Sequence, residues 1–321
     1  MDISLKRLLP GEQLIQYGCT PGWVTLSRTK DGIYIVRMKG EKNPENRFIP
    51  PFIAAIMKAY DAVEQHLELH AGDSPAALLS ISESVRFFSN GIDPTGAYSK
   101  KLNLPKMTAV EEAMHLALAM PSFSRPLQLP IPTIAVINGH AFGAGMMYTS
   151  CHDYRFQRID RGYQCAIEVE IGIGIPPPEM EMFGHIMPKH AWQKTVMGAH
   201  RWGGDEAKRE GFVTDTATLE TIVDKAYKFA VKESKLAKGP RGRLVYMSIK
   251  NQVKGHVSKM VMDYNFPGGK MPKSMKSVPG LVASFYKKYP YFLRHINEEI
   301  DPLPGGQLIP PMDYGSRGSK L

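Results

Sequence analysis

Hydrophobic positions along this chain repeat with two different periods. Residues 23–28, Trp-Val-Thr-Leu-Ser-Arg, and 33–38, Ile-Tyr-Ile-Val-Arg-Met, are rich in β-branched and aromatic side chains and flank the turn signal Asp31-Gly32, which predicts a hairpin. After Pro50-Pro51 the apolar residues Phe52, Ile53, Ile56, Tyr60, Val63 and Leu67 recur at helical spacing, leaving Lys58, Asp61 and Glu64 for the wet face. Short apolar runs at 76–81 and 134–137 read as buried strands whose ends lead into glycine-containing loops. Residues 110–120, 205–211 and 217–235 read as helices, and 281–299 as helical with a break at Pro290. Residues 265–273 read as a loop, and 302–321, rich in proline and glycine, as a mobile tail. Alternating strands and helices predict an α/β layered fold.

Composition narrows the classes. Of the 321 residues, 43% are hydrophobic and 22% charged, the balance of an ordinary globular domain rather than a disordered chain. The length predicts one main domain with a C-terminal extension. No apolar run approaches the roughly 18 residues of a spanning helix, and the opening Met-Asp-Ile-Ser-Leu-Lys-Arg has no secretory apolar segment. The expectation is a chain neither secreted nor membrane-spanning. Cys19, Cys151 and Cys165 are scattered and odd in number, which predicts reduced thiols rather than a disulfide framework or zinc site. The net charge of +9 suits a polyanionic partner, whether nucleic acid, an acidic membrane surface or a phosphorylated cofactor, and charge alone does not choose among them; the missing zinc-finger or RNA-recognition signature argues against nucleic acid.

Candidate chemistry concentrates in residues 131–213, which begin Ile-Pro-Thr-Ile-Ala-Val-Ile-Asn-Gly-His-Ala-Phe-Gly-Ala-Gly. A buried strand followed by small residues and a helix start lets backbone N–H groups approach a ligand closely. Downstream, Glu168 and Glu170 are two candidate bases. In a regular strand they would share a face, so spacing does not choose between them.

These segments resemble the crotonase (enoyl-CoA hydratase/isomerase) superfamily. The resemblance rests on Pro132–Ala135, Asn138-Gly139, Gly143-Ala144-Gly145, the Cys151-His152-Asp153 element, residues 205–213, and the upstream loop Arg86-Phe-Phe-Ser-Asn-Gly-Ile-Asp93. It implies a crotonase-type spiral of ββα units and an acyl-CoA thioester substrate. The implied core spans residues 1–213, a C-terminal helical region that mediates self-association 214–300, and a tail 301–321. It also implies that the N–H groups of Ile92 and Ala144 bind the thioester oxygen, with Gly91, Gly143 and Gly145 shaping the hole. The family places its catalytic glutamate four residues before a glycine, which selects Glu168, four before Gly172. Glu170 is then a solvated or structural carboxylate.

Hydratases of the family carry a second glutamate two positions after the glycine loop; here that position is Met147. Dienoyl-CoA isomerases carry acids there and eight residues after the first glutamate, which is Pro176 here. The pattern is therefore most similar to peroxisomal Δ3,Δ2-enoyl-CoA isomerases, with Glu168 moving the double bond alone. The alternatives are a hydratase or dienoyl isomerase, an acyl-CoA enzyme of specialised metabolism, and a non-catalytic CoA-binding module. Met146, Met147, Met180 and Met182 are candidates for an acyl pocket or the core, and Arg86 for a CoA phosphate. No metal or separate cofactor is expected, coenzyme A being part of the substrate. His140, His152 and His185 lack ligand spacing. A homotrimer or hexamer is implied by the family. The terminal Ser319-Lys320-Leu321 has the form of a peroxisomal import signal, which predicts a peroxisomal import receptor as partner and the peroxisomal matrix as location.

Overall fold

The computed structural model describes residues 5, 7–267, 270 and 280–296. The short strand β1 (Gln13–Leu14) pairs antiparallel with β2 (Val24–Arg28), and β2 with β3 (Ile33–Met38), so the anticipated hairpin forms. At its turn, Gly32 has φ +86°, and an added Cβ would lie 2.1 Å from the Pro75 carbonyl oxygen. Helix α1 (Pro50–Leu69) then leads to β4 (Ala77–Ser82), parallel to β3.

From β4 onward one unit repeats: a long strand, a short strand, then a helix. β4 is followed by β5 (Phe87–Ser89), α2 (Ala97–Lys101) and α3 (Ala109–Ser124). Next come β6 (Thr133–Ile137), β7 (His140–Phe142) and α4 (Ala144–Ser150), then β8 (Tyr154–Arg158), β9 (Gln164–Cys165) and α5 (Pro177–Gly184). The chain continues through α6 (Lys189–Gly198), α7 (Gly204–Arg209), β10 (Asp215–Ala217), α8 (Ile222–Glu233), α9 (Gly239–Asn265) and α10 (Leu281–Lys288). Each unit adds one strand to a seven-stranded sheet, ordered β1-β2-β3-β4-β6-β8-β10, and one to a small parallel sheet, β5-β7-β9. This is the expected spiral of ββα units.

The strands from β3 to β10 run parallel, and such strands, covered on both faces, read as unbroken apolar runs. Alternate residues serve the two sides. Tyr34, Val36, Leu78 and Ala135 join α1, α3 and α4 in the main core, while Ile35, Leu79, Ile134 and Val136 meet Ile222, Ala226 and Ala230 of α8.

Several expectations are corrected. Asp61 and Glu64 of α1 are not on a wet face; they are 5% and 1% exposed. Arg125 Nη2 lies 2.8 Å from Asp61 Oδ1 and 3.4 Å from Glu64 Oε2. The C-terminal segment covers them, with His295 Nε2 2.9 Å from Glu64 and the Tyr291 N–H donating to Asp61. Buried charges of this kind persist only when paired, so the acidic stripe is an anchor. The helix anticipated from residue 217 starts at Ile222, because Ala217 pairs with Arg158 of β8. Helix α10 stops at Lys288 ahead of Pro290, and among the described residues a short turn, Phe292–His295, comes after it; residues 297–299 lie outside the described residues. Helix α9, 27 residues long, was not anticipated as a single element. Lys250 docks it: Nζ donates to the carbonyls of Pro126 and Leu129 and pairs with Asp153 at 2.9 Å. Residues 268, 269 and 271–273 of the expected loop and the tail 302–321 lie outside the described residues.

The three cysteines are buried and free. Among the described residues no helix is long and apolar enough to cross a membrane, and no cluster of three or more His, Cys, Asp or Glu side chains could hold a metal.

Candidate active site

The three strands of the small sheet end side by side. Parallel neighbours lie about 4.8 Å apart, so the turns that leave these strands converge at the carboxyl edge. After β5 come Asn90, Gly91 and Ile92; after β7, Gly143, Ala144 and Gly145; after β9, the approach to Glu168. The glycines record how closely these segments meet. A Cβ at Gly145 would lie 2.2 Å from the Ser89 carbonyl oxygen, one at Gly91 2.7 Å from that of Phe142 and 3.4 Å from Ala144 N, and one at Gly143 3.0 Å from Glu168 Oε1. Gly91 and Gly143 also have positive φ, +75° and +53°. Side chains here would force apart the turns that carry Ile92, Ala144 and Glu168.

No acceptor among the described residues takes the N–H of Ile92 or of Ala144. Ala144 opens α4, where the first N–H groups have no partner within the helix. Gly143 instead donates to the Cys165 carbonyl at 2.9 Å, which ties the turn to β9.

A turn, rather than a strand end, carries the two glutamates: the N–H of Glu170 donates to Ile167 O and that of Ile173 to Glu168 O. The turn sends them in different directions, correcting the shared-face reading. Glu168 is 7% exposed, its Oε2 has no hydrogen-bond partner, and burial raises its pKa. Glu170 is exposed and accepts two hydrogen bonds from Arg201, each 2.8 Å, which lower its pKa.

Sequence reasoning missed Glu179. It lies in the first turn of α5, where burial and then the neighbouring charge of Glu168 push its pKa up to about 7. Eleven residues separate the pair, beyond the reach of a motif; the one signal was an acid at a proline-marked helix start.

Met146, Met147 and Met182 are buried core, and Met180 packs against it. His152 is also structural: Nε2 meets Ser80 Oγ at 2.8 Å, Nδ1 meets Tyr148 O, and burial holds it neutral, at about 3. Asp153 receives Thr133, Lys250 and Lys254. Arg86, the candidate for a CoA phosphate, lies over the Phe87 ring. His140 packs among the rings of Phe87, Phe142 and Tyr163, and His185 Nδ1 meets the Glu181 carbonyl of its own helix turn at 3.0 Å.

A cavity of about 540 Å³ lies between the start of α1, α2, α3 and the C-terminal segment, with Met107, Met114 and Leu118 on its apolar wall and Lys100, Lys106 and Lys288 around it. Glu168 does not line it. It borders the loop after β5 through Ser99, whose N–H and hydroxyl donate to Asp93, the residue after Ile92.

Comparison with known proteins bears on the family and the fold. The chain is 28% identical over 246 residues to enoyl-CoA delta isomerase 3 of Arabidopsis thaliana, covering 74% of this chain and 94% of that protein. It is 29% identical over 196 residues to the peroxisomal enoyl-CoA delta isomerase 2 of the same plant, covering 60% and 76%. Among solved structures, an enoyl-CoA isomerase of Mycobacterium tuberculosis superposes with a TM-score of 0.63 at 21% identity, over 83% of this chain and all of that one. An enoyl-CoA hydratase of Mycobacterium ulcerans gives 0.62 at 22% identity, over 82% and 100%. The family model for enoyl-CoA hydratase/isomerase matches residues 29–262, and the chain belongs to that family of enzymes.

Proposed function

We propose that this protein is a Δ3,Δ2-enoyl-CoA isomerase in which Glu168 is the only acid–base group. The observation that carries the reading is one buried carboxylate with an unpartnered oxygen, against a glycine turn in which the Ala144 N–H has no acceptor among the described residues, while Met147 stands where a hydratase would carry its second glutamate. Glu168 takes a C2 proton from a 3-enoyl-CoA, and the C3–C4 π electrons delocalise with the new carbanion into a dienolate. Its oxygen accepts hydrogen bonds from Ile92 and Ala144 N–H; preorganised donors of this kind are each worth on the order of 3 kcal/mol. The protonated Glu168 returns the proton at C4, leaving the 2-enoyl-CoA with no net change in atoms. Burial supports both transfers by matching carboxyl and carbon acid more closely than water allows. The apolar cavity beside the loop would take the acyl chain.

Glu179 favours a second reading. A carboxyl of pKa about 7 beside Glu168 is part protonated at neutral pH and could deliver a proton, as hydration of a 2-enoyl-CoA demands. Purified protein offered 3-enoyl-, 2-enoyl- and 3,5-dienoyl-CoA decides between them. Isomerisation of the 3-enoyl ester, lost by at least about a hundredfold in Glu168→Gln but little changed in Glu170→Gln, is the expected result. Hydration as the main activity, abolished by Glu179→Gln, would replace the isomerase reading.

A further inference from the structure

We infer that Arg47 is a positioning residue that sets the direction of the Ile92 N–H, an inference that rests on the proposed role of that N–H as an oxyanion donor. Two consecutive peptide groups meet at Ile92, and both are held from the segment ahead of α1. The Gly91 carbonyl, in the same peptide as the Ile92 N–H, accepts the N–H of Phe48 at 2.7 Å. In a trans peptide the two groups point in opposite directions, so this bond aims the N–H away from Phe48. The next carbonyl, that of Ile92, accepts Arg47 Nη1 at 2.8 Å. With the carbonyls on either side fixed, φ and ψ of Ile92 have little freedom.

Arg47 is itself held. Its Nε donates to Glu45 Oε2 at 2.7 Å, and its guanidinium lies 5.1 Å from the centre of the Tyr98 ring. Glu45 Oε2 also accepts Asn90 Nδ2 at 2.7 Å, and the Glu45 carbonyl accepts the Asn90 N–H at 2.9 Å. One arginine and one glutamate thus join both ends of the Asn90–Ile92 turn to a single anchor. On the far side of that turn, Asp93 accepts the N–H groups of Tyr98 and Ser99. Gly91 needs such bracing because its positive φ and its closeness to Phe142 O exclude a side chain that could pack the turn in place.

A misdirected donor weakens the bond to the dienolate oxygen more than binding of the ground-state ester, since charge develops only as the proton leaves. Arg47→Ala should therefore lower kcat by about tenfold or more, with KM changed less than about threefold and an unaltered melting temperature. Arg47→Lys, which keeps one donor for the Ile92 carbonyl, should recover part of the loss. A second readout is the infrared stretch of a carbon-13-labelled thioester carbonyl in bound 2-enoyl-CoA, which should move back toward its solution value in Arg47→Ala. A folded Arg47→Ala protein with unchanged kcat and an unchanged carbonyl stretch would overturn the inference. So would a loss confined to KM or to the melting temperature. Glu168→Gln measured alongside separates the two levels: retained isomerisation in that variant defeats the isomerase reading, whatever Arg47 does.

Discussion

At the scale of single residues, the site holds two carboxyl groups that the fold keeps from ionising freely. Burial raises Glu168, and Glu179 reaches about 7 from an ordinary 4.5. A group whose folded pKa exceeds its unfolded value stabilises the fold relative to alkaline conditions at low pH, and that advantage is lost as pH rises from 4.5 through 7. For Glu179 the cost at pH 8 is about 3 kcal/mol, at 1.36 kcal/mol per pKa unit. Glu179→Gln removes the titration. Its melting temperature relative to the unaltered protein should therefore rise between pH 5 and pH 8, and an offset constant across that range would show that Glu179 is not held protonated. Glu168 and Glu170 illustrate what sequence could and could not say here. The family spacing to Gly172 selected Glu168, but the turn at 168–172 is what buries one carboxylate and leaves the other with Arg201.

At the scale of elements, the strands and glycine turns were legible because short apolar, β-branched runs and the turn glycines between them are local properties. Helix α9 was not. Gly239, Gly242 and Gly255 weaken its local propensity, and its two faces have different jobs. Lys250 and Val257 face the core, while Val245, Ile249 and Val253 form a stripe at i, i+4 and i+8, 51%, 56% and 66% exposed. An apolar stripe in water is unfavourable and marks an interaction surface. We predict that α9 contributes to self-association, which the resemblance to the family implies as a trimer or hexamer. Light scattering at micromolar concentration should give a multiple of the chain mass, reduced by Ile249→Asp; a single-chain mass for the unaltered protein would reject the prediction.

At the scale of the whole molecule, the spiral delivers three turns from three strands to one edge and ties the last helices back over the first. We propose that Ser319-Lys320-Leu321 acts as a peroxisomal import signal. A fluorescent fusion at the amino end should enter peroxisomes with the three residues and stay outside without them. Unchanged localisation after their removal, in cells lacking an unaltered subunit, would count against the signal.

Sequence by itself determined the alternation of strands and helices, the Asp31-Gly32 turn, and the glutamate at family spacing from Gly172. These stem from periodicity, backbone sterics and short-range motifs, which neighbours in the chain decide. Only the tertiary structure decided that Asp61 and Glu64 are buried around Arg125, that the charge of Glu168 acts on Glu179, and that Arg47 holds the carbonyl of Ile92. Arg125 lies 64 residues from Asp61, and Arg47 lies 45 residues from Ile92. A charge reads as solvent-facing until another segment covers it, and a backbone carbonyl has no preferred partner in sequence. Burial and hydrogen bonding between distant segments depend on which surfaces the spiral brings together, so they enter only with the fold.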